Sequence, residues 1–110
     1  MKTASERRLG PRKRLTLEGM INHSRHGLQR CQTRDISLEG AFVQTDAMPL
    51  RRYAKIDLIL KIPANGKAKH YRVRARVSNV EKHGATLIFR NLDEQTYTAL
   101  VDLLYPAEYE

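Results

Sequence analysis

The clearest period along the chain is two. Ala54, Ile56, Leu58, Leu60 and Ile62 alternate with Lys55, Asp57, Ile59 and Lys61, the pattern of a strand with one buried face. Pro63-Ala64-Asn65-Gly66-Lys67 comes next as a turn, Asn-Gly being the strongest short hairpin signal. Tyr71, Val73, Ala75 and Val77 then alternate with Arg72, Arg74 and Arg76, which predicts a partner strand with an apolar inner face and a cationic outer one. His83-Gly84 turns the chain again, and Ala85, Leu87 and Phe89 form a further inward-facing set. Earlier in the chain, Leu15 and Leu17 alternate but Met20 and Ile21 fall out of phase, which puts an expected bulge near Gly19. Residues 22–27 are turn chemistry and Leu28 to Arg34 reads as a strand. Asp35 to Gly40 interrupts it, Ala41 to Thr45 is a short strand, and Met48-Pro49 is a connector. Asp93 is a good N-cap for a helix with Tyr97, Leu100, Val101 and Leu104 on one stripe, ended by Pro106. Six short antiparallel strands and one C-terminal helix predict a mainly β chain, a small six-stranded barrel with the helix packed on it.

The segments outside this pattern divide the chain. Residues 1–7 have no apolar period and are expected to form a flexible basic tail. Gly10-Pro11 breaks any helix through the basic segment, so residues 8–14 are expected to be an extended loop. The domain then occupies 8–105, with 106–110 as a C-terminal tail. At 110 residues there is room for one ordinary domain. No apolar run approaches the length of a membrane span, and no apolar stretch marks a signal peptide, so a cytoplasmic protein without membrane insertion is expected.

Charge changes the picture more than composition does. The net charge is +8, with thirteen of the twenty basic residues Arg. It is unevenly spread: residues 1–14 carry +5 and residues 90–110 carry −4. Arg forks bidentately onto phosphate and stacks on flat rings, so this balance points to an anionic, phosphate-bearing partner. It does not by itself separate nucleic acid, nucleotide and acidic protein. Aromatic residues make up only 6% and Trp is absent, which is thin for a protein that stacks the bases of single strands.

Catalytic and metal chemistry find little support. Among His23, His26, His70 and His83 only the first two are close, three apart in a turn, with no third ligand at a sensible spacing. The single Cys31 allows no internal disulfide and reads as a small packing residue. No glycine-rich phosphate loop is present, and no nucleophile has an identifiable base. No cofactor, no metal and no enzymatic activity are expected.

Two spacings remain. Arg8-x-x-x-Arg12 alone means little in so Arg-rich a chain, and Arg30/Arg34 and Arg72/Arg76 repeat it. Asp35-x-Ser37-x-x-Gly40 is more specific, arising by chance in roughly one such chain in a hundred. Asp, Ser and Gly are also turn formers, and an Asx-turn at Asp35 accounts for the residue types. It does not account for their joint occurrence with the arginine pair. Together, Arg8-Leu9-Gly10-Pro11-Arg12, then Asp35-Ile36-Ser37-Leu38-Glu39-Gly40-Ala41, then Lys82-His83-Gly84-Ala85 leading to Phe89 and a short closing helix, run in an order that resembles the PilZ domain family.

The resemblance implies a stand-alone PilZ-type six-stranded barrel with a C-terminal helix that binds the bacterial second messenger cyclic di-GMP. Both ligand motifs, RxxxR and DxSxxG, are complete. The implied roles suit the ligand. Arg8 and Arg12 would take guanine edges and phosphates, since an Arg fork fits guanine O6 and N7. Asp35 would accept from a guanine Watson–Crick edge, Ser37 would donate to a phosphate, and Gly40 would let backbone approach closely. Arg7 is an added stacking or phosphate group, with Arg34, Lys13 and Arg14 as weaker candidates. Arg72, Arg74 and Arg76 read as a solvated outer face. Arg7 also bears on stoichiometry. Two stacked ligands bring four phosphate charges together, and the cations at 7, 8 and 12, with Lys13 or Arg14, compensate them. Two ligands per chain are therefore expected, with the signal passed in trans to a protein partner. The alternatives are a PilZ-fold scaffold acting by protein contacts alone, and a basic barrel binding nucleic acid, which the scarcity of aromatics disfavours.

Overall fold

The computed structural model describes residues 12–45 and 49–106. The expected N-terminal tail with Arg7 lies outside the described residues, as do Arg8 at the expected start of the domain, Met48, and all but the first residue of the expected C-terminal tail.

Seven strands and one helix occur in chain order: β1 Lys13–Arg14, β2 Glu18–His23, β3 Gly27–Ile36, β4 Gly40–Gln44, β5 Lys55–Ala64, β6 Lys67–Glu81, β7 Gly84–Arg90 and α1 Glu94–Leu104. Every pairing is antiparallel. The order β3-β2-β5-β6-β7-β4 closes because β4 also pairs with β3, which makes the expected six-stranded barrel. β1 is a two-residue addition to the C-terminal end of β3. The alternation read from the sequence fills the interior. Ile56, Leu58, Leu60 and Ile62 from β5 meet Val73, Ala75 and Val77 from β6 and Ala85 and Leu87 from β7, all at most 4% exposed.

Several local expectations need correction. There is no bulge at Gly19, and the ladders on both sides of β2 are regular there. Gly19 takes an inward slot between Leu17 and Ile21 where a side chain has no room, since a Cβ would lie 2.6 Å from the Ile59 carbonyl oxygen. The missing side chain makes one alternation look like a change of phase. The bulges occur instead between Thr33 and Asp35 and between Val77 and Asn79. Asp35 and Ile36 do not interrupt a strand; they end β3. Residues 13–14 are likewise strand rather than loop. Pro63 and Ala64 pair with Ala68 and Lys67, leaving Asn65-Gly66 as the whole turn, both at positive φ.

Asp93 caps α1 as expected, its carboxylate accepting from the Thr96 N–H at 2.7 Å. The buried row differs from the predicted stripe. Thr96, Leu100 and Leu104 face the barrel, whereas Tyr97 is 50% exposed. Four-residue spacing holds one row on a helix, and Tyr97 stands about 100° away from it. The last turn of α1 has no basic residue. The cation favoured at a helix C-terminus comes from β1: Lys13 Nζ donates to the Leu104 carbonyl and lies 5.2 Å from the Tyr105 ring centroid. No helix among the described residues is long and apolar enough to cross a membrane.

Candidate ligand site on the outer face of β3 and β4

The site is organised by the bulge in β3. Thr33 pairs with Val43 and Asp35 with Phe42, so Arg34 is one residue too many. Neighbouring side chains of a regular strand point to opposite faces and cannot meet. At a bulge they can, and Arg34 Nε donates to Asp35 Oδ2 at 3.2 Å. The guanidinium of Arg34 also lies 3.9 Å from the Phe42 ring centroid, a cation–π contact that flattens it against the ring. Phe42 has a floor of its own: a Cβ at Gly84 would lie 2.8 Å from two of its ring carbons.

Thr33 brings the N-terminal segment to this place. Its side chain is buried where the bulge opens the ladder. The hydroxyl accepts from the Leu17 N–H at 2.8 Å and donates to the Leu15 carbonyl at 2.6 Å. The Thr33 and Leu15 N–H groups donate to Leu17 and Arg34 carbonyls beside it. The chain so held continues backwards into β1, where Arg14 stands opposite Asp35. Two residues earlier, Arg12 Nη1 donates to Asp35 Oδ1 at 3.3 Å. One carboxylate, 13% exposed, thus bridges two guanidiniums that are 30% and 41% exposed. Pairs this accessible contribute at most about 1 kcal/mol each, so an incoming ligand can replace them at small cost.

The remaining motif residues act within the fold. Ser37 is buried. Its hydroxyl accepts from the Glu39 N–H at 3.1 Å and reaches the Gly40 carbonyl at 3.4 Å, while the Ser37 N–H donates to the same carbonyl at 2.8 Å. Asp35 makes ion pairs and no Asx-turn; the turn belongs to Ser37. Gly40 is pressed against β7, where a Cβ would lie 2.4 Å from the Leu87 carbonyl oxygen. Lys13 is committed to the end of α1, and Arg14 is exposed beside Asp35. The structure therefore brings Arg12, Arg34, Asp35 and Arg14 together. Thr33 and Phe42 were missed by sequence reasoning. An inward Thr between Cys31 and Ile36 was the available signal for the first.

No group of three metal-ligating side chains occurs among the described residues. His23 and His26 rings lie 4.7 Å apart, and the His23 ring nitrogen accepts from the Arg25 N–H. Loss of solvent, then the charges of His26 and Arg25, lower the His23 pKa.

Residues 6–105 match the sequence profile of the PilZ domain. This chain belongs to the PilZ domain family. Solved structures similar to this PilZ domain carry the same fold. The PilZ domain of CeSA from a cellulose-synthesizing bacterium superposes with a TM-score of 0.68 at 15% identity, covering 87% of this chain and 96% of that one. The inhibitor of motility MotI/DgrA of Bacillus subtilis gives 0.70 at 20% identity, over 84% of this chain and 46% of that one. The PlzA protein of Borreliella burgdorferi, solved in complex with c-di-GMP, gives 0.53 at 17% identity, over 77% and 31% respectively. No curated protein matches the chain in sequence.

Proposed function

We propose that this PilZ domain is a cyclic di-GMP receptor that binds its ligand at Arg12, Arg34 and Asp35 and signals to a protein partner in trans. The observation that carries the reading is the single carboxylate of Asp35 held between two accessible guanidiniums on one outer face. Family membership supports it, as does the fold shared with a protein solved in complex with c-di-GMP.

The residues supply complementary chemistry. Asp35 accepts from the N1 and N2 donors of a guanine, exchanging its arginine partners for a neutral base edge. Arg12, released from Asp35, forks onto guanine O6 and N7 or a phosphate. Arg34 already lies on Phe42, and its open face stacks on a second flat ring. Arg8 and Arg7 close over the ligand from the preceding segment. Ser37 and Gly40 serve by shaping the turn and the β4–β7 contact rather than by touching phosphate. With Arg7 as a further cation, two stacked ligands are held per chain.

Calorimetric titration with cyclic di-GMP tests this. Binding is expected, and Arg8→Ala and Arg12→Ala should each weaken it by about 1–3 kcal/mol with the fold retained. Binding by both variants at wild-type strength would refute the site. A wild-type ratio near one would remove the stacked pair and leave the receptor in place. Raising the salt should weaken binding far less than the steep loss expected of an oligonucleotide held by its phosphates.

A further inference from the structure

A second cationic site lies away from Asp35, across β5, β6 and β7. Arg74 on β6 and Arg90 on β7 are directly opposed in register. Opposed side chains have Cβ atoms about 4.5–5.5 Å apart, and like charges there destabilise a sheet. The carboxylate best placed to relieve them is Asp57, the register partner of Arg74 on β5. It is turned instead to the diagonal Arg72, whose Nε donates to it at 3.0 Å. Lys55, two residues from Asp57, stands opposite Arg76 and adds a further cation. Among the described residues no carboxylate pairs with Arg74, Arg90 or Lys55. These three cations line a concavity of about 430 Å³ together with Asn22, Ser24, Asn91 and Asp57, whose carboxylate is taken up by Arg72.

We infer that this concavity binds a small phosphate-bearing molecule. Three cations without counter-ions meet three neutral hydrogen-bonding side chains in a volume that suits a small ligand. An oxyanion between Arg74 and Arg90 turns their repulsion into two charge-assisted hydrogen bonds. Asn22, Ser24 and Asn91 are suited to its hydroxyl or ester oxygens. The site is bounded rather than continuous. The Asp57–Arg72 ion pair interrupts the basic row of β6 on one side, so the arrangement suits a compact anion better than the backbone of a nucleic acid. The inference is independent of the cyclic di-GMP reading, because it shares no residue with Arg12, Arg34 and Asp35.

The test is thermal melting of the full chain with sodium pyrophosphate, against sodium chloride at equal ionic strength. Pyrophosphate at low millimolar concentration should raise the melting temperature of wild type and of Arg12→Ala alike. Arg74→Gln and Arg90→Gln should need at least tenfold more pyrophosphate for the same rise. Both should melt no lower than wild type in phosphate-free, low-salt buffer, because each removes one of two opposed charges. Equal responses to pyrophosphate and chloride would overturn the inference, as would a response unchanged in both Gln variants. So would a short DNA duplex binding through Arg74 and Arg90 while pyrophosphate does not. Loss of the response in Arg12→Ala alone would also overturn it, by moving the anion to the β3–β4 site.

Discussion

Gly40 and Ser37 show the structural requirement within the motif that begins at Asp35. A methyl group at position 40 would sit 2.4 Å from the Leu87 carbonyl oxygen, backbone against backbone, with no flexible side chain to give way. Gly40→Ala should therefore force β4 from β7 and destabilise the domain by about 1–3 kcal/mol, in the range of overpacked cores, as measured by urea denaturation. A variant as stable as wild type would show that the two strands separate freely. The aspartate two residues before Ser37 has a different part. Its neighbours are guanidiniums rather than backbone N–H groups, so its bonds hold side chains together and not the turn. Arg12 and Asp35 could be singled out in the sequence by their charges and spacing, whereas their ion pair with each other comes from the fold. Phe42 was not, because its part depends on which side chain lies upon it.

At the scale of elements, β3 joins the N-terminal segment to the barrel, and Thr33 makes the joint. Its hydroxyl satisfies one backbone donor and one acceptor where the bulge interrupts the ladder. Thr33→Val keeps the shape and removes both bonds, which should cost about 1–3 kcal/mol and loosen β1. Thr33→Ser should restore most of the loss. Equal stability of the Val and Thr forms, by denaturant unfolding, would mean that water takes the hydroxyl's place. The strands β5, β6 and β7 were legible because alternation alone specifies a half-buried strand. The bulge was not, since one surplus residue leaves a pattern of residue types that also reads as a turn. Gly19 misled in the opposite direction, an absent side chain imitating a change of phase. On α1 the cap was legible, as were Leu100 and Leu104 of the buried row; Thr96 was not, because it is polar enough to read as surface, while the larger Tyr97 stands out to solvent.

The whole molecule is a closed barrel whose interior holds one thiol. Cys31 is 9% exposed, and loss of solvent pushes its pKa up to about 12. At pH 8 roughly one thiol in ten thousand would be ionised, and the thiolate is the reactive form. Cys31 pairs with Gly19 on β2 and borders a surface concavity, but the residue is buried, so full access to the thiol requires local opening of the wall. Alkylation by iodoacetamide at pH 8 should be slower than that of a free thiol by a factor of roughly a thousand or more and should accelerate with urea as the domain unfolds. Labelling of the native protein at the rate of an unhindered cysteine would rule out this tightly closed wall. The charge map adds a second property of the whole. Two clusters of basic groups lie on the outside of the barrel, one at Asp35 and one at Arg74 and Arg90.

The surplus residue in β3 has a consequence for comparing relatives. Alignments that match strands by hydrophobic alternation assign every position a parity, and Arg34 reverses that parity for the rest of the strand. A relative without the extra residue, aligned through Thr33 without a gap, would set an inward position against Asp35 and an outward one against Ile36. The acidic residue would then look absent from a chain that has it one column away. Placing the gap at Arg34 keeps the hydrophobic columns and the carboxylate column in agreement on both sides.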